Sequence, residues 1–498
     1  MSNLLDKASI VLTPTAYDNS KVLCVKPSDG SGDFDFSRNS AATRVNAQGL
    51  VEDVQIISGN KVTNGDFSNG STGWIIEAAW TISGGVANGN GANGSNEELV
   101  QSGNLAIGKT YSITYEIKNY VSGFVSTRRP NTSVRSANGV YTEIAVSSAT
   151  ALIFNGVNFN GSITNIVIKE ITDDTNLPRI NYEGGCGSWL FEPQSTNLIP
   201  YSENFSDSSW QRNATLVITS NDAISPDGTQ NATRVKKAGT GSRLGVEIAL
   251  TSGSNYTLSF YMKNNGGNTS LSADFDGQAA VVPYTITNNW ARYEFTFTAT
   301  STETSQIRIF TGAANIDAYI WGAQIEEQTY ATSYIPTDGT QKTRNQDVCT
   351  NGGSVATISS TSGVLYAEIS ANSNDLSFRL LSLSDGTTSN RVYIGFGSVS
   401  NQLTASLTSG GSQQALLNHI VSDETQYNKV ALKYKLNELS LFVNGSKVAT
   451  DTTVTMPTLT SLQFTSGSTF SKFFGKTKAV AVWKEALTDT ELQELTTI

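Results

Sequence analysis

Short runs in which apolar and polar residues alternate recur along the whole chain, with Gly and Asn turns between them; residues 111–117, 163–168 and 364–369 are examples. Successive side chains of a β-strand point to opposite faces, so such a run buries one face only. Charged residues make up only 15% of the chain, which disfavours long helices. We therefore predict an all-β, multi-domain protein built of tandem antiparallel β-sandwiches or jelly rolls.

One short helix is expected at the C-terminal end. Thr488 precedes a run of helix-forming residues, and Glu491 stands three positions further on. This spacing is that of a capping box, in which each residue satisfies a backbone N–H group of the other. The sequence therefore predicts a helix that begins directly after Thr488.

Two turn-rich stretches of similar style, residues 34–52 and 178–204, enclose a segment that looks complete in itself. A chain of 498 residues is expected to form three or four domains. We predict a split N-terminal β base interrupted by an inserted jelly roll, then a second jelly roll and a third sandwich. The predicted bounds are 1–60 (base), 61–172 (module one), 173–200 (base, closing part), 201–340 (module two) and 341–498 (third sandwich).

Module two repeats the plan of module one. Phe67 is followed by Trp74, and Phe205 by Trp210, in similar polar surroundings. The repeat is too long for a solenoid, so we interpret it as a tandem domain duplication. The matched positions predict that Trp74 and Trp210 are core residues, because large aromatic side chains are highly buried on average.

The composition excludes several classes of function. A net charge of −10 without any basic run argues against nucleic-acid binding. No stretch reaches the length of a membrane span, and the N-terminus lacks the pattern of a signal peptide, so no membrane insertion is expected. The three widely spaced cysteines are predicted to be small buried residues. A single histidine, His419, and the absence of a nucleophile motif predict a protein that is not an enzyme.

A sugar-binding surface needs exposed aromatic rings together with amide, carboxylate or guanidinium groups. Trp80 lies outside the repeated frame and is therefore a candidate for exposure. A loop between two strand patterns of the third sandwich carries a hydrogen-bond acceptor and a donor, which could bind a glycan. The alternative is a plain hairpin loop that is polar because it faces solvent. The candidate glycan-binding residues are Trp80, Tyr120, Tyr284, Trp290, Asp385, Asn390 and Arg391.

The base also carries charged residues close together in sequence. Arg38 and Arg44 lie near Asp33 and Asp35. These four residues form either a site for a ligand or partner, or a local network of ion pairs and turns.

Several segments resemble a signature that recurs in bacteriophage virion proteins, especially tail-fibre, head-fibre and other receptor-binding chains. The segments are FSRNSAATRVN (36–46), LPRINYEGG (177–185), LFEPQSTNLI (190–199), YATSYIPTDGT (330–340) and KTRNQD (342–347). The resemblance implies jelly rolls similar to carbohydrate-binding modules and a C-terminal laminin-G/concanavalin-like domain. It also implies a virion protein assembled in the cytoplasm of the host bacterium. The expected partners are other virion proteins, a host-surface glycan and further copies of the chain, a trimer first.

Jelly rolls of this kind often hold a structural calcium where the opening and closing strands meet. The matching positions are Asn64, Asp66 and Asn165 in module one, and Asn204 and Asp317 in module two. Calcium takes six to eight oxygen ligands, and the sequence offers only two or three per site. No other cofactor is expected. Two alternative functions stay open: a purely structural capsid or tail protein without a glycan ligand, and a glycan depolymerase.

Overall fold

The computed structural model describes residues 2–92 and 97–498, and this part of the chain is almost entirely β-structure. Within it, two short helices occur, α1 (Ser2–Lys7) and α2 (Asp489–Thr496), and neither is long and apolar enough to cross a membrane. The all-β prediction is confirmed. The predicted helix start is also confirmed, since the Thr488 side chain accepts the Glu491 N–H and the Glu491 carboxylate accepts the Thr488 N–H.

The base opens the chain with short strands. They are β1 (Ile10–Leu12), β2 (Tyr17–Asp18), β3 (Lys21–Val22), β4 (Phe34–Ser37), β5 (Thr43–Val45), β6 (Val51–Asp53) and β7 (Ile56–Ile57). Strands β5 and β6 form a small hairpin of their own. Such strands, of two to four residues, are too short to bury a core without a larger partner.

Module one is a continuous antiparallel sheet around its own core. Its strands are β8 (Ile75–Ile76), β9 (Trp80–Ser83), β10 (Val86–Asn90), β11 (Glu98–Ser102), β12 (Thr110–Arg129), β13 (Gly139–Val146) and β14 (Ala151–Asp173). Bulges between Lys118 and Phe124 bend the long strand β12, so both its halves contribute to one core. Ile171 of β14 pairs with Ile57 of β7, so the chain leaves and re-enters the base at neighbouring points.

Module two follows the closing strands of the base. Those strands are β15 (Ile180–Asn181), β16 (Ser188–Phe191) and β17 (Ser195–Asn197). The strands of module two are β18 (Trp210–Arg212), β19 (Val217–Ala223), β20 (Ala232–Lys237), β21 (Ser242–Leu250), β22 (Asn255–Asn264), β23 (Ser270–Ala273), β24 (Val282–Thr285), β25 (Ala291–Thr298), β26 (Glu303–Ala313) and β27 (Ile316–Glu326). A five-stranded sheet, β19-β20-β27-β22-β25, and a three-stranded sheet, β18-β21-β26, enclose its core.

The last twelve strands of the described residues supply the third sandwich, except the first two, which pair with the base strands β17 and β4. They are β28 (Lys342–Arg344), β29 (Val348–Thr350), β30 (Ser362–Ala371), β31 (Arg379–Ser384), β32 (Arg391–Phe396), β33 (Gln402–Ser409), β34 (Ser412–Ile420), β35 (Asn428–Lys435), β36 (Glu438–Val443), β37 (Ser446–Asp451), β38 (Ser461–Gln463) and β39 (Gly475–Trp483). One sheet has the order β34-β33-β32-β31-β38, and the other β15-β16-β39-β30-β35-β36-β37.

The base differs from the predicted separate unit, because most buried residues of its strands belong to the core of the third sandwich, whereas Val51 packs with residues of module two. Ile10 of β1 pairs with Val482, and Trp189 of β16 pairs with Thr477, both on β39. Trp189 is completely buried in the cluster that also contains Leu365. The base therefore extends the third sandwich, since its short strands can be buried only against a larger sheet.

Burial confirms some predictions and corrects others. Trp74 and Trp210 are core residues, as predicted from the repeat. Cys349 is buried and Cys24 partly so. Cys186 is exposed in the turn between β15 and β16, so the prediction of burial is wrong for this cysteine.

Candidate functional site

Five charged residues from four of the motif segments meet in the interior of the protein, and we call them the ionic cluster. They are Arg38, Arg179, Glu192, Arg344 and Asp347. The Nη1 atom of Arg38 lies 3.2 Å from Asp347 Oδ1, and Nη1 of Arg179 lies 2.6 Å from Glu192 Oε2. Arg179 also contacts Asp347, and Arg344 contacts Glu192. The cluster thus joins the base to the segment that opens the third sandwich.

All five side chains of the cluster are buried. Burial alone would raise the pKa of Glu192, but Arg344 and Arg179 outweigh it and hold this pKa far below its usual value. Ser333, which lies after the last strand of module two, donates its N–H and its hydroxyl to the Glu192 carboxylate over 2.8 and 2.7 Å. The motif segments therefore have a structural role, the fixing of module two and the base to the third sandwich.

This cluster corrects the predicted grouping of Arg38 and Arg44 with Asp33 and Asp35. Arg38 pairs with a carboxylate more than 300 residues away along the chain, and Arg44 pairs with Glu52 at 2.9 Å. Asp35 binds a lysine of β3, and Asp33 accepts a backbone N–H group. Neighbours in a loop end up with different partners because the backbone turns between them.

A cavity of about 240 Å³ opens beside the ionic cluster, between module two, the base and the third sandwich. We call it the interdomain cleft. Glu192 and Ser333 form part of its wall and connect it to the cluster. Its other polar and aromatic lining residues include Arg44, Glu183, Tyr261, Arg292, Glu294, Tyr330, Asn372 and Lys476.

The strand alternation of module two directs three of these side chains into the cleft. On β22, Phe260 points into the core, whereas Tyr261 points to the outer face of the sheet. On the neighbouring strand β25, Arg292 lies opposite Tyr261, and Glu294 lies two residues further on the same face. The cleft is therefore built on the outer face of the five-stranded sheet.

Contacts with neighbouring groups fix the charged side chains of the cleft. The guanidinium carbon of Arg292 lies 5.7 Å from the ring centroid of Tyr261, and its Nη2 donates to the carbonyl of Thr332 over 2.7 Å. Partial burial raises the pKa of the Glu294 carboxyl, and Arg292 opposes this shift. The cleft thus offers two phenol rings, Tyr261 and Tyr330, beside fixed charges of both signs. Such a set can stack on the C–H face of a sugar and bind its hydroxyls.

Trp80, one predicted glycan-binding residue, is not available to a sugar, and a second, Tyr284, is partly buried against the core of module two. Trp80 is 3% exposed, its ring packs on Phe159 at 5.8 Å, and its Nε1 donates to a backbone carbonyl. The ring of Tyr284 packs against Phe260 and Tyr293, and its hydroxyl donates to a backbone carbonyl over 2.8 Å. The prediction is wrong for Trp80, whose ring completes the core of module one, whereas a sugar-binding role for the partly buried Tyr284 stays a prediction.

Tyr120 and Trp290 are half-buried and lie outside the interdomain cleft. The hydroxyl of Tyr120 donates to the carbonyl of Gly123 over 3.0 Å. The Nε1 of Trp290 donates to the carbonyl of Ile224 over 3.0 Å, and the Nζ of Lys263 lies 5.0 Å from its ring centroid. A sugar-binding role for these two rings stays a prediction.

The polar groups of the loop at residues 385–391 are bound within the protein. Asp385 accepts from Thr387 and from the Asn390 amide, and Asn390 Oδ1 accepts a backbone N–H. Arg391 donates to the carbonyl of Ser466 over 2.5 Å. These contacts favour the plain-loop alternative for Asp385 and Asn390 and give Arg391 a supporting role. Binding of glycan by the three residues stays a prediction.

The residues at the first predicted calcium site do not fit a metal ion. The amide nitrogen of Asn64 faces the carbonyl oxygens of Gly70 and Thr72, and Asp66 accepts from its neighbouring serine. Asn165 donates its amide to a glutamate on β12. The oxygens are therefore turned to local donors, whereas calcium needs six to eight of them converging on one point.

The second predicted calcium site is occupied by side-chain cations. Arg234 donates to both carboxylate oxygens of Asp317 over 2.7 Å each, and Lys236 lies 3.3 Å away. This pairing lowers the pKa of Asp317 to about 2. Asn204 accepts from a neighbouring serine. In residues 2–92 and 97–498 no three His, Cys, Asp or Glu side chains form a group that could hold a metal.

Comparisons with known domain families agree with this architecture. Residues 197–318 match the model of a carbohydrate binding domain, and residues 342–493 match a laminin-G model of the concanavalin A-like lectin/glucanases superfamily. The chain therefore contains a carbohydrate-binding domain, which carries Tyr261, Arg292 and Glu294 of the interdomain cleft, followed by a laminin-G/concanavalin-like domain. No curated protein matches this chain.

Among solved structures, the sialidase CBM40 of Ruminococcus gnavus bound to α2,3-sialyllactose is 20% identical, with a TM-score of 0.25 over 28% of this chain and 84% of that one. The tandem CBM22 domains of Xyn10C from Paenibacillus barcinonensis are 12% identical, with a TM-score of 0.21 over 55% of this chain and 98% of that one. A heptameric SAP-like pentraxin from Limulus polyphemus is 15% identical, with a TM-score of 0.22 over 27% of this chain and 70% of that one.

Proposed function

We propose that this protein is a non-enzymatic structural protein of a bacteriophage virion, a tail or head fibre or appendage, and that it binds host-surface glycan in the interdomain cleft. One observation carries the glycan part of the proposal. Tyr261, Arg292 and Glu294 lie on the outer sheet face of a carbohydrate-binding domain, and Tyr330, from the segment after its last strand, lines the same cleft.

The cleft suits a sugar by size and by chemistry. At about 240 Å³ it lies just below the usual range of small-molecule pockets, so it fits a single sugar unit or the end of a chain. Its aromatic rings offer apolar faces, and its charged groups can accept or donate at the sugar edge. Lys476 and Glu183, which pair at 2.8 Å, also line the cleft and add one charged group of each sign.

The virion part of the proposal is supported by the motif resemblance, and it implies assembly in the host cytoplasm. Weak binding to single sugars becomes useful when several copies act together, because multivalency raises avidity. We therefore propose a closed homo-oligomer, a trimer first. Light scattering of the intact chain with its virion partner gives the mass, and a monomer would contradict this. Antibody labelling of purified virus particles tests the location.

A binding assay with purified host-surface polysaccharide tests the cleft. Replacing Tyr330 by Ala removes one ring, and we expect affinity to fall about tenfold, equivalent to about 1.4 kcal/mol. Tyr319→Ala is the matched control, since Tyr319 belongs to the same module but lies outside the cleft. Equal affinities of the parent and Tyr330→Ala, or an equal loss in both variants, would contradict the assignment of the cleft.

The ionic cluster favours a second candidate function, a purely structural connector of the capsid or tail. Such a protein needs modules fixed relative to one another, and the buried arginines of the cluster provide this. Particle labelling without any glycan binding would favour the connector. Release of reducing sugar from the polysaccharide would instead identify a depolymerase.

A further inference from the structure

A second cavity, of about 310 Å³, lies at one rim of the third sandwich, and we call it the rim pocket. Strands β29 and β38 and the loop before β39 form its walls. Its volume falls at the lower end of the range for ligand pockets. The lining side chains that carry polar groups include Thr350, Asn351, Gln463, Ser468, Thr469 and Lys472.

The charge of the rim pocket is positive although the chain carries a net charge of −10. Among the described residues, those that line the pocket include no carboxylate, and Lys472 is the one charged residue there. The Nζ of Lys472 donates to the neutral Gln346 side chain over 3.1 Å, and no carboxylate oxygen of the described residues lies within 4 Å of it. A lysine ammonium has three donors, so Lys472 can bind an anion in the pocket.

The nearest acidic side chains have other partners. The Asp35 carboxylate contacts the pocket residue Asn351, whose side-chain amide donates to it over 2.9 Å. The same carboxylate is paired with the Lys21 ammonium at 2.6 Å. Asp385 precedes the pocket residue Gly386, but its carboxylate accepts from its own loop. Neither carboxylate therefore neutralises the Lys472 ammonium.

Uncharged groups of the rim pocket match a sugar better than a simple ion. The hydroxyls of Thr350 and Thr469 make no hydrogen bond to the described part of the protein, so both can bind a ligand hydroxyl. Phe470 follows Thr469 and is 73% exposed. Its carbonyl accepts both the N–H and the hydroxyl of Ser466, over 3.1 and 2.9 Å, which fixes the turn that presents the ring.

We infer that the rim pocket binds an acidic saccharide, a sugar that carries a carboxylate. Lys472 pairs with the carboxylate, and the threonine hydroxyls bind ring hydroxyls. Phe470 does not line the pocket itself, but it adjoins the lining residue Thr469 and can contact a part of the saccharide that extends out of the pocket. Arg391 supports this site through its bond to the Ser466 carbonyl. The inference rests on the proposed glycan-binding function but uses none of the residues of the interdomain cleft.

Ligand-observed NMR of the full chain at low ionic strength tests the rim pocket, with sodium glucuronate, glucose and inorganic phosphate as probes. We expect glucuronate to bind at least tenfold more tightly than glucose or phosphate. Lys472→Gln should reduce glucuronate binding at least tenfold. Lys484→Gln should leave it unchanged; this matched control also removes a lysine that donates to a neutral oxygen, the Ala356 carbonyl at 3.0 Å.

Three results would overturn the inference: no binding of glucuronate, equal binding of glucose and glucuronate, or equal glucuronate binding by the parent and Lys472→Gln. Phosphate that binds as tightly as glucuronate would also overturn it, by showing a simple anion site. The Tyr330→Ala variant separates this test from that of the proposed function. Its glucuronate binding should equal that of the parent, while its binding of host polysaccharide falls.

Discussion

Removal of one carboxylate from the ionic cluster should destabilise the third sandwich strongly. The cluster holds three arginines and two carboxylates, so Asp347→Asn changes its net charge from about +1 to +2 while keeping the side-chain shape. Asp347 contacts both Arg38 and Arg179 and also accepts the Glu192 N–H over 2.8 Å. Breaking a buried ion pair on one side costs about 3–5 kcal/mol. We therefore expect Asp347→Asn to lower the free energy of unfolding by an amount in this range.

Guanidinium unfolding measured by tryptophan fluorescence gives the size of the effect, because Trp189 lies in the affected core. Asp35→Asn is the control: Asp35 pairs with Lys21 at 2.6 Å, but about half of its side chain is exposed. Exposed pairs contribute about 0.2–1 kcal/mol. The transition midpoint should therefore fall much further for Asp347→Asn than for Asp35→Asn.

A second variant separates charge from shape. Replacing both partners by apolar residues, with Arg38→Met and Asp347→Leu together, should recover part of the loss, since no unpaired charge of that pair is left buried. Equal midpoints for Asp347→Asn and Asp35→Asn would refute the reasoning. A double variant less stable than Asp347→Asn would show that shape rather than charge balance governs the site.

Two further predictions concern module one and the pH dependence of stability. Deletion of residues 58–170 should leave the rest folded, because Ile57 and Ile171 are paired neighbours; loss of the cooperative unfolding transition of the remaining chain would contradict this. Burial, with Asp227 adding to it, raises the pKa of Glu203 to about 7. A carboxyl with a raised folded-state pKa stabilises the fold at low pH, and this contribution is lost as pH rises through the folded value. This pKa shift corresponds to at most about 3 kcal/mol of unfolding free energy. The melting temperature of the parent should therefore fall between about pH 5 and pH 8, and that of Glu203→Gln should fall less. An equal fall in both proteins would contradict this prediction.

The strands and the repeated core positions could be predicted from the sequence because their signals are local. Alternation at residues 111–117 and 364–369 falls within β12 and β30. The matched frames placed Trp74 and Trp210 in their cores. The Asn444-Gly445 pair forms the turn between β36 and β37, and this dipeptide is a strong local signal for a hairpin turn. In each case the decisive residues are neighbours along the chain.

The ionic cluster and the interdomain cleft could not be predicted in the same way. The partner of Arg38 is Asp347, and no periodic pattern links positions so far apart. Trp80 was a candidate for exposure because it lies outside the repeated frame, yet its ring packs on Phe159, which follows it by 79 residues along the chain. Tyr261 and Tyr330 share a cleft although 69 residues separate them along the chain. Such contacts depend on the tertiary arrangement rather than on local pattern.

The pairing of β1 with β39 sets the order in which the chain can fold during synthesis. Ser9 donates to the carbonyl of Val482, 473 residues further along. The base strands therefore leave the ribosome long before their partner exists, whereas the core of each module between them consists of its own residues. Modules one and two can fold as they emerge, while β1 and the free edge of the β15–β16 hairpin wait without their partner strand and are open to wrong partners. Arrival of β39 closes the molecule in one late step, because this strand alone pairs with β1, β16 and β30 together.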